Sequence, residues 1–207
     1  MNSSLRFWNR TAKRYALRPV ADPGAYQKKL EVTQSYLRPD MNVLEFGCGT
    51  GTTAFHHAPS VQRYLGTDAS PNMIEIARNK LAKKPVPQLD FEVATLSRLS
   101  GKEHFFDAVL GLNILHLMSD PEETVRQVFD LLKPGGIFVS NTACMQDTRP
   151  FLRPVAVSAR LLGLAPYVNF LSRESVDLSL EMAGFELAYG WVPETSPDVY
   201  FSVAIKK

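Results

Sequence analysis

The chain has 207 residues, 45% of them hydrophobic and 21% charged, which suits one globular domain with a sizeable core and excludes a disordered chain. Its formal charge of +2 singles out no charged partner, so nucleic acid is not expected. Cys48 and Cys144 form neither a disulfide framework nor a zinc set, and no run reads as a signal peptide or approaches the ~20 apolar residues of a bilayer span, so a cytoplasmic protein is expected.

Residues 5–18 have helical spacing, with Phe7, Thr11 and Tyr15 on one face and Arg6, Arg10, Lys13 and Arg14 largely off it. Pro19 stops that helix, and a second runs from about Pro23 to Leu37, before Pro39. Strand-like runs follow at Asn42–Phe46, Arg63–Asp68, Asp90–Ala94, Phe106–Leu112 and Gly136–Asn141. Helix-like runs at Gly51–His57, Pro71–Lys83, Leu96–Leu99 and Pro121–Leu131 lie between them. This alternation predicts an α/β fold with a doubly wound parallel sheet. The rhythm breaks after Asn141. Residues 142–170, with Pro150, Pro154 and Pro166, read as a partly helical insertion. Ser172 then caps a helix that ends near Gly184, and Phe185–Trp191 and Val199–Ile205 pair as a long hairpin.

The densest signal is Val43-Leu44-Glu45-Phe46-Gly47-Cys48-Gly49-Thr50-Gly51-Thr52, an apolar strand running into a glycine turn that opens a helix. Such a turn lets a ligand approach the main chain because no Cβ stands in the way. A dinucleotide fingerprint would place its third glycine at 52, where this chain has Thr52; the third glycine is Gly51, and Glu45 stands two residues before the first. The spacing resembles motif I of the class I S-adenosylmethionine-dependent methyltransferases. The resemblance extends in order and spacing through Gly66-Thr67-Asp68-Ala69-Ser70-Pro71-Asn72-Met73, Phe106-Asp107-Ala108-Val109 and Leu131-Leu132-Lys133-Pro134-Gly135-Gly136. It covers about residues 40–142, and the layout is similar to the small-molecule, quinone-type (UbiE-like) members.

The resemblance implies one domain over residues 1–207: a Rossmann-like seven-stranded sheet with its last strand antiparallel, residues 1–39 as a helical lid and residues 142–170 as a substrate cap. It implies S-adenosylmethionine as cofactor. Gly47, Gly49 and Gly51, with Cys48 packed in the turn, would touch its methionine and ribose portions. Asp68, with Ala69 beside it, would accept from the ribose hydroxyls, and Met73 and Leu96 would flank the adenine. Glu45 would either orient the loop or receive the cofactor's amino group, and Tyr15 is a candidate partner for its carboxylate. Where many relatives have an Asp for the adenine amino group, this chain offers Thr95, a weaker acceptor.

A sulfonium is already an activated methyl donor, so in-line displacement asks for alignment, water exclusion and, for some acceptors, a base. Gly111-Leu112-Asn113-Ile114-Leu115-His116 leaves the fourth strand at the methyl end. Asn113 is expected to face the cofactor, and His116 is a candidate general base whose alternative is packing beneath the next helix. The Asn/Asp-Pro-Pro-Tyr signature of amino-methylating relatives is absent, which disfavours base amines and glutamine amides. The insertion is apolar, with Arg149, Arg153 and Arg160 against Asp147, and suits a small hydrophobic or amphipathic acceptor. The competing readings are an NAD(P)-linked oxidoreductase, which Thr52 disfavours, and a cofactor-binding protein without catalysis.

Overall fold

The computed structural model describes residues 3–99 and 101–207. Two N-terminal helices, α1 (Ser3–Ala16) and α2 (Pro23–Tyr36), precede the sheet. The chain then runs β1 (Asn42–Phe46), α3 (Thr52–His57), β2 (Arg63–Asp68), α4 (Pro71–Lys83), β3 (Leu89–Val93), β4 (Phe106–Leu112), α5 (Pro121–Leu131) and β5 (Leu132–Ala143). The insertion folds as two short helices, α6 (Met145–Thr148) and α7 (Arg153–Leu161). Then follow α8 (Arg173–Ala183), β6 (Phe185–Trp191) and β7 (Val199–Lys206).

Helix starts follow the chemistry of their first turns. Asp22, Ser70, Asp120 and Ser172 each accept a backbone N–H three residues on, satisfying donors that helix geometry leaves unpaired. Gly184 closes α8 in the left-handed conformation, φ 98°.

The strands form one sheet in the order β3-β2-β1-β4-β5-β7-β6. The first five are parallel, and β7 runs antiparallel to both neighbours. Alternation along each strand splits the core into two. Val43, Tyr64, Phe91 and Val139 pack on one face with Ala54 of α3 and Ile74 and Ala77 of α4. Leu44, Phe46, Val109 and Phe138 pack on the other with Val125 and Val128 of α5 and Leu180 of α8.

Two elements differ from expectation. Strand β5 starts at Leu132 rather than Gly136, and the register jumps from Phe106↔Leu132 to Ala108↔Ile137, so the Lys-Pro-Gly-Gly turn bulges out of a continuing strand. Lys133 fastens that bulge to Asp107 at 2.7 Å. Leu96–Leu99 is a single 3-10 turn.

Candidate active site

The turn between β1 and α3 occupies the left-handed region at Gly47, Gly49 and Gly51, with φ of 65°, 56° and 77°. The Gly51 N–H closes it onto the Cys48 carbonyl at 3.0 Å, and the Cys48 N–H ties it to the Thr67 carbonyl of β2 at 2.9 Å. Lys80 of α4 holds its far side, donating to the Thr50 carbonyl and hydroxyl at 2.9 and 3.0 Å. A Cβ at Gly51 would strike the Phe91 ring. A Cβ at Gly49 would meet only the Tyr15 ring, at 3.7 Å. Gly51 is therefore required for packing, whereas Gly49 leaves main chain open beneath Tyr15.

Below the turn lie two carboxylates. Glu45 shares its strand face with Val43, is 3% exposed, and accepts from the Tyr64 hydroxyl at 2.8 Å. Asp68, at the end of β2, accepts from the Gly49 N–H through Oδ2 at 3.0 Å and from the Ser70 N–H through Oδ1 at 2.8 Å. These two bonds fix the carboxylate and leave each oxygen a further acceptor position. Burial raises Glu45 to about 7, and the Asp68 charge adds to the rise. Burial raises Asp68 as well. None of the influences on either carboxylate comes from a cation. The Tyr15 hydroxyl is raised by burial and by both carboxylates, so it stays a donor. Burial, Glu45 and Asp68 push the Cys48 thiol well up, which makes it an uncharged packed side chain. With Asp68 fixed and each of its oxygens able to accept once more, the cradle suits a ligand with paired hydroxyl donors.

Ala69 is exposed beside Asp68. Thus the glycine turn, Cys48, Glu45, Asp68, Ala69 and Tyr15 come together. Met73 and Leu96 are 2% and 9% exposed, and Leu96 packs in the core on the α5 face. Thr95 is exposed after β3 and shares a 2.9 Å hydrogen bond with Ser97. Asn113 follows β4 with φ 57°. Its N–H donates to the Asn141 carbonyl at 2.7 Å, and its Oδ1 accepts from Asn141 Nδ2 at 2.5 Å.

His116 takes a specific arrangement. Its Nδ1 accepts from the Ala143 N–H at 3.3 Å, and its carbonyl accepts from the Asn169 N–H at 2.6 Å. An accepting Nδ1 places the neutral ring's proton on Nε2. Burial holds the ring's pKa down, at about 4. In this arrangement His116 is a neutral ring that accepts from β5 and, through its carbonyl, from the insertion, and the ring has no free lone pair with which to take a proton.

Residues that sequence reasoning passed over complete the neighbourhood. Asn9 of α1 accepts from the Ser70 hydroxyl at 2.6 Å, and its carbonyl accepts from Asn72 Nδ2 at 2.9 Å, which docks α1 on the start of α4. Residue type alone carries no signal for that contact. His57 is fully buried, bonds Gln34 through Nδ1 at 3.0 Å, and leaves Nε2 unpartnered. It lines a cavity of about 60 Å³ with Tyr26, Lys29, Thr53, Asn113 and Asn141. The motif carries no mark of this histidine, since it reaches the cavity only because α2 covers α3.

A family model described as a methyltransferase domain matches residues 44–138. The chain is 29% identical over 154 residues to a demethylmenaquinone methyltransferase of Symbiobacterium thermophilum, covering 70% of this chain and 59% of that protein. It is 32% identical over 126 residues to a ubiquinone biosynthesis O-methyltransferase of Methylocella silvestris, covering 61% and 48%. The chain thus spans about half the length of these relatives. Its fold is similar to the crystal structure of an S-adenosylmethionine-dependent methyltransferase from Mesorhizobium loti, with a TM-score of 0.72, 20% identity, and coverage of 89% of this chain and 99% of that one. At that identity the likeness speaks for the fold alone.

Proposed function

We propose that the chain is a class I S-adenosylmethionine-dependent methyltransferase, on the strength of the methyltransferase-domain match and the methyltransferase relatives, and that it transfers a methyl group from S-adenosylmethionine to a small hydrophobic or amphipathic molecule in the cytoplasm. The observation that carries the cofactor is Asp68, fixed by the Gly49 and Ser70 N–H groups with each oxygen able to accept once more, beside a glycine turn whose Gly49 backbone is open. Asp68 would hold the ribose hydroxyls. The Gly47–Gly51 main chain would line the methionine portion, and Tyr15, on the lid helix, would donate to its carboxylate. Met73, Leu96 and Thr95 would bound the adenine. The bound cofactor supplies a methyl group already activated on a positively charged sulfur.

The protein's part is then positioning and exclusion of water. Asn113, locked to Asn141, would face the methyl end, and α1 with the insertion would cover the acceptor. His116 serves this reading as a fixed spacer between β5 and the insertion. The relatives named for quinone methylation, together with the apolar insertion, support a hydrophobic acceptor. A screen of acceptors with methyl-labelled S-adenosylmethionine tests the reaction, and labelled product is the expected result. Calorimetric titration should show S-adenosylmethionine binding where NAD(P) does not. Preference for the dinucleotide would overturn the proposal.

A further inference from the structure

Helix α7 has no buried residue. Arg153, Ala156, Val157 and Arg160 turn toward residues 167–170 and line a cavity there, with Arg160 over the Tyr167 ring at 4.7 Å. The opposite face is uncovered and, apart from Ser158, apolar. Phe151 is 72% exposed, Val155 63% and Leu162 73%, and at helical spacing these three point the same way. Leu161 and Leu164 extend the patch. An ordinary surface helix buries its apolar face, and this one leaves that face in water along with its arginines.

Charge follows the same surface. Residues 148–172 carry Arg149, Arg153 and Arg160 and no acid, and residues 1–21 carry five cations and no acid. All eight are exposed or flank exposed positions, and none takes part in an ion pair among the described residues. Because the whole chain sums to +2, eight cations here leave the remainder at −6. The two segments touch: Arg10 donates to the Gly163 carbonyl, and the Tyr167 N–H donates to Ser4 Oγ at 2.9 Å.

We propose that α7, its flanking residues and α1 form a docking surface for an anionic lipid bilayer. Exposed leucine and phenylalanine side chains would enter the headgroup boundary while arginines meet lipid phosphates. Nucleic acid would use the cations and leave the leucines in water, so the apolar half favours lipid. Binding here is peripheral, as no helix among the described residues is long and apolar enough to cross a membrane. The surface lies on the insertion that would cover the acceptor, so a hydrophobic acceptor could pass from bilayer to site. The docking itself does not depend on the methyl-transfer reading.

Vesicle flotation of the full chain tests it. Vesicles of phosphatidylcholine with phosphatidylglycerol should carry the protein, those of phosphatidylcholine alone should carry much less, and added salt should release it. Leu161→Glu with Leu162→Glu should lower binding at least about ten-fold. Arg6→Gln and Arg14→Gln should each lower it about five-fold at low salt. An unchanged thermal unfolding curve checks that each variant is folded. The proposal is overturned if anionic vesicles fail to carry the protein, or if the leucine variant floats like the parent. It is equally overturned if duplex DNA is bound and vesicles are not, or if the leucines hold a dimer that does not bind vesicles.

Discussion

Asp68 is held by two backbone N–H groups before any ligand arrives, so little ordering remains when ribose hydroxyls bind. The net loss of one charge-assisted bond, at about 1.5–3 kcal/mol, predicts that Asp68→Ala weakens S-adenosylmethionine at least about 10- to 100-fold, read by calorimetry. Unchanged affinity would remove Asp68 from the site. Glu45 gives a different signature. Burial leaves it half-protonated near pH 7, and a cationic ligand nearby would pull the proton off. Binding at pH 7 should therefore release protons, seen as a binding enthalpy that varies with the ionisation enthalpy of the buffer, and Glu45→Gln should abolish the variation. At His116 the expected result is negative. With the ring's pKa at about 4 and Nδ1 already accepting, activity should show no acid limb near pH 6.5. His116→Ala should instead cost about 1–3 kcal/mol of stability by leaving the Ala143 N–H unpaired. An acid limb near 6.5 that disappears in the variant would restore the ring to base chemistry.

The glycine turn is the element where packing and ligand access separate. Gly51→Ala would strain a backbone at φ 77° and press on Phe91, so a loss of about 3 kcal/mol in denaturant unfolding is expected. Gly49→Ala, facing only Tyr15, should lose less stability and more cofactor affinity. Equal effects would show that the turn does not divide its work this way. The strand-turn-helix order around Gly47–Gly51 was legible because a short motif and its neighbours determine it. So were the doubly wound sheet and the hairpin, since hydrophobic period and turn residues are local in sequence. What stayed illegible depends on contacts far apart in the chain. Asn9 docks α1 on Ser70 and Asn72 more than sixty positions away. His57 lines one cavity with Asn141 only through the cover of α2, and the His116 Nδ1 lone pair is taken because Ala143 of a neighbouring strand donates to it. The early start of β5 was hidden for a related reason: Lys-Pro-Gly-Gly reads as a turn, and the sheet absorbs it as a bulge.

Across the whole molecule, buried titratable groups set opposing pH responses. His57 and His116 are lowered from 6.5 to about 4 by burial. Their contribution to stability is present above pH 6.5 and is lost as pH falls toward 4. Glu45 is raised from 4.5 to about 7. Its contribution is present below pH 4.5 and is lost as pH rises through 7. Each of these three is worth roughly 3 kcal/mol, and Asp68, also raised by burial, sides with Glu45, so the histidines lose stability on acidification from pH 6.5 to 4.5 while the carboxylates offset that loss. Glu45→Gln should raise stability at pH 8 and steepen the acid loss. Thermal unfolding across that range decides it, and a flat profile in both proteins would refute the opposition.

The strand order carries one more consequence. Strand β7 is last of the seven in chain order, yet it lies inside the sheet between β5 and β6. Until β7 is made, the nascent chain has two bare strand edges with a gap between them, and β6 has no neighbour at all. The period before its synthesis is when this protein is most exposed to edge-to-edge aggregation, and a chain interrupted before Val199 would remain in that state.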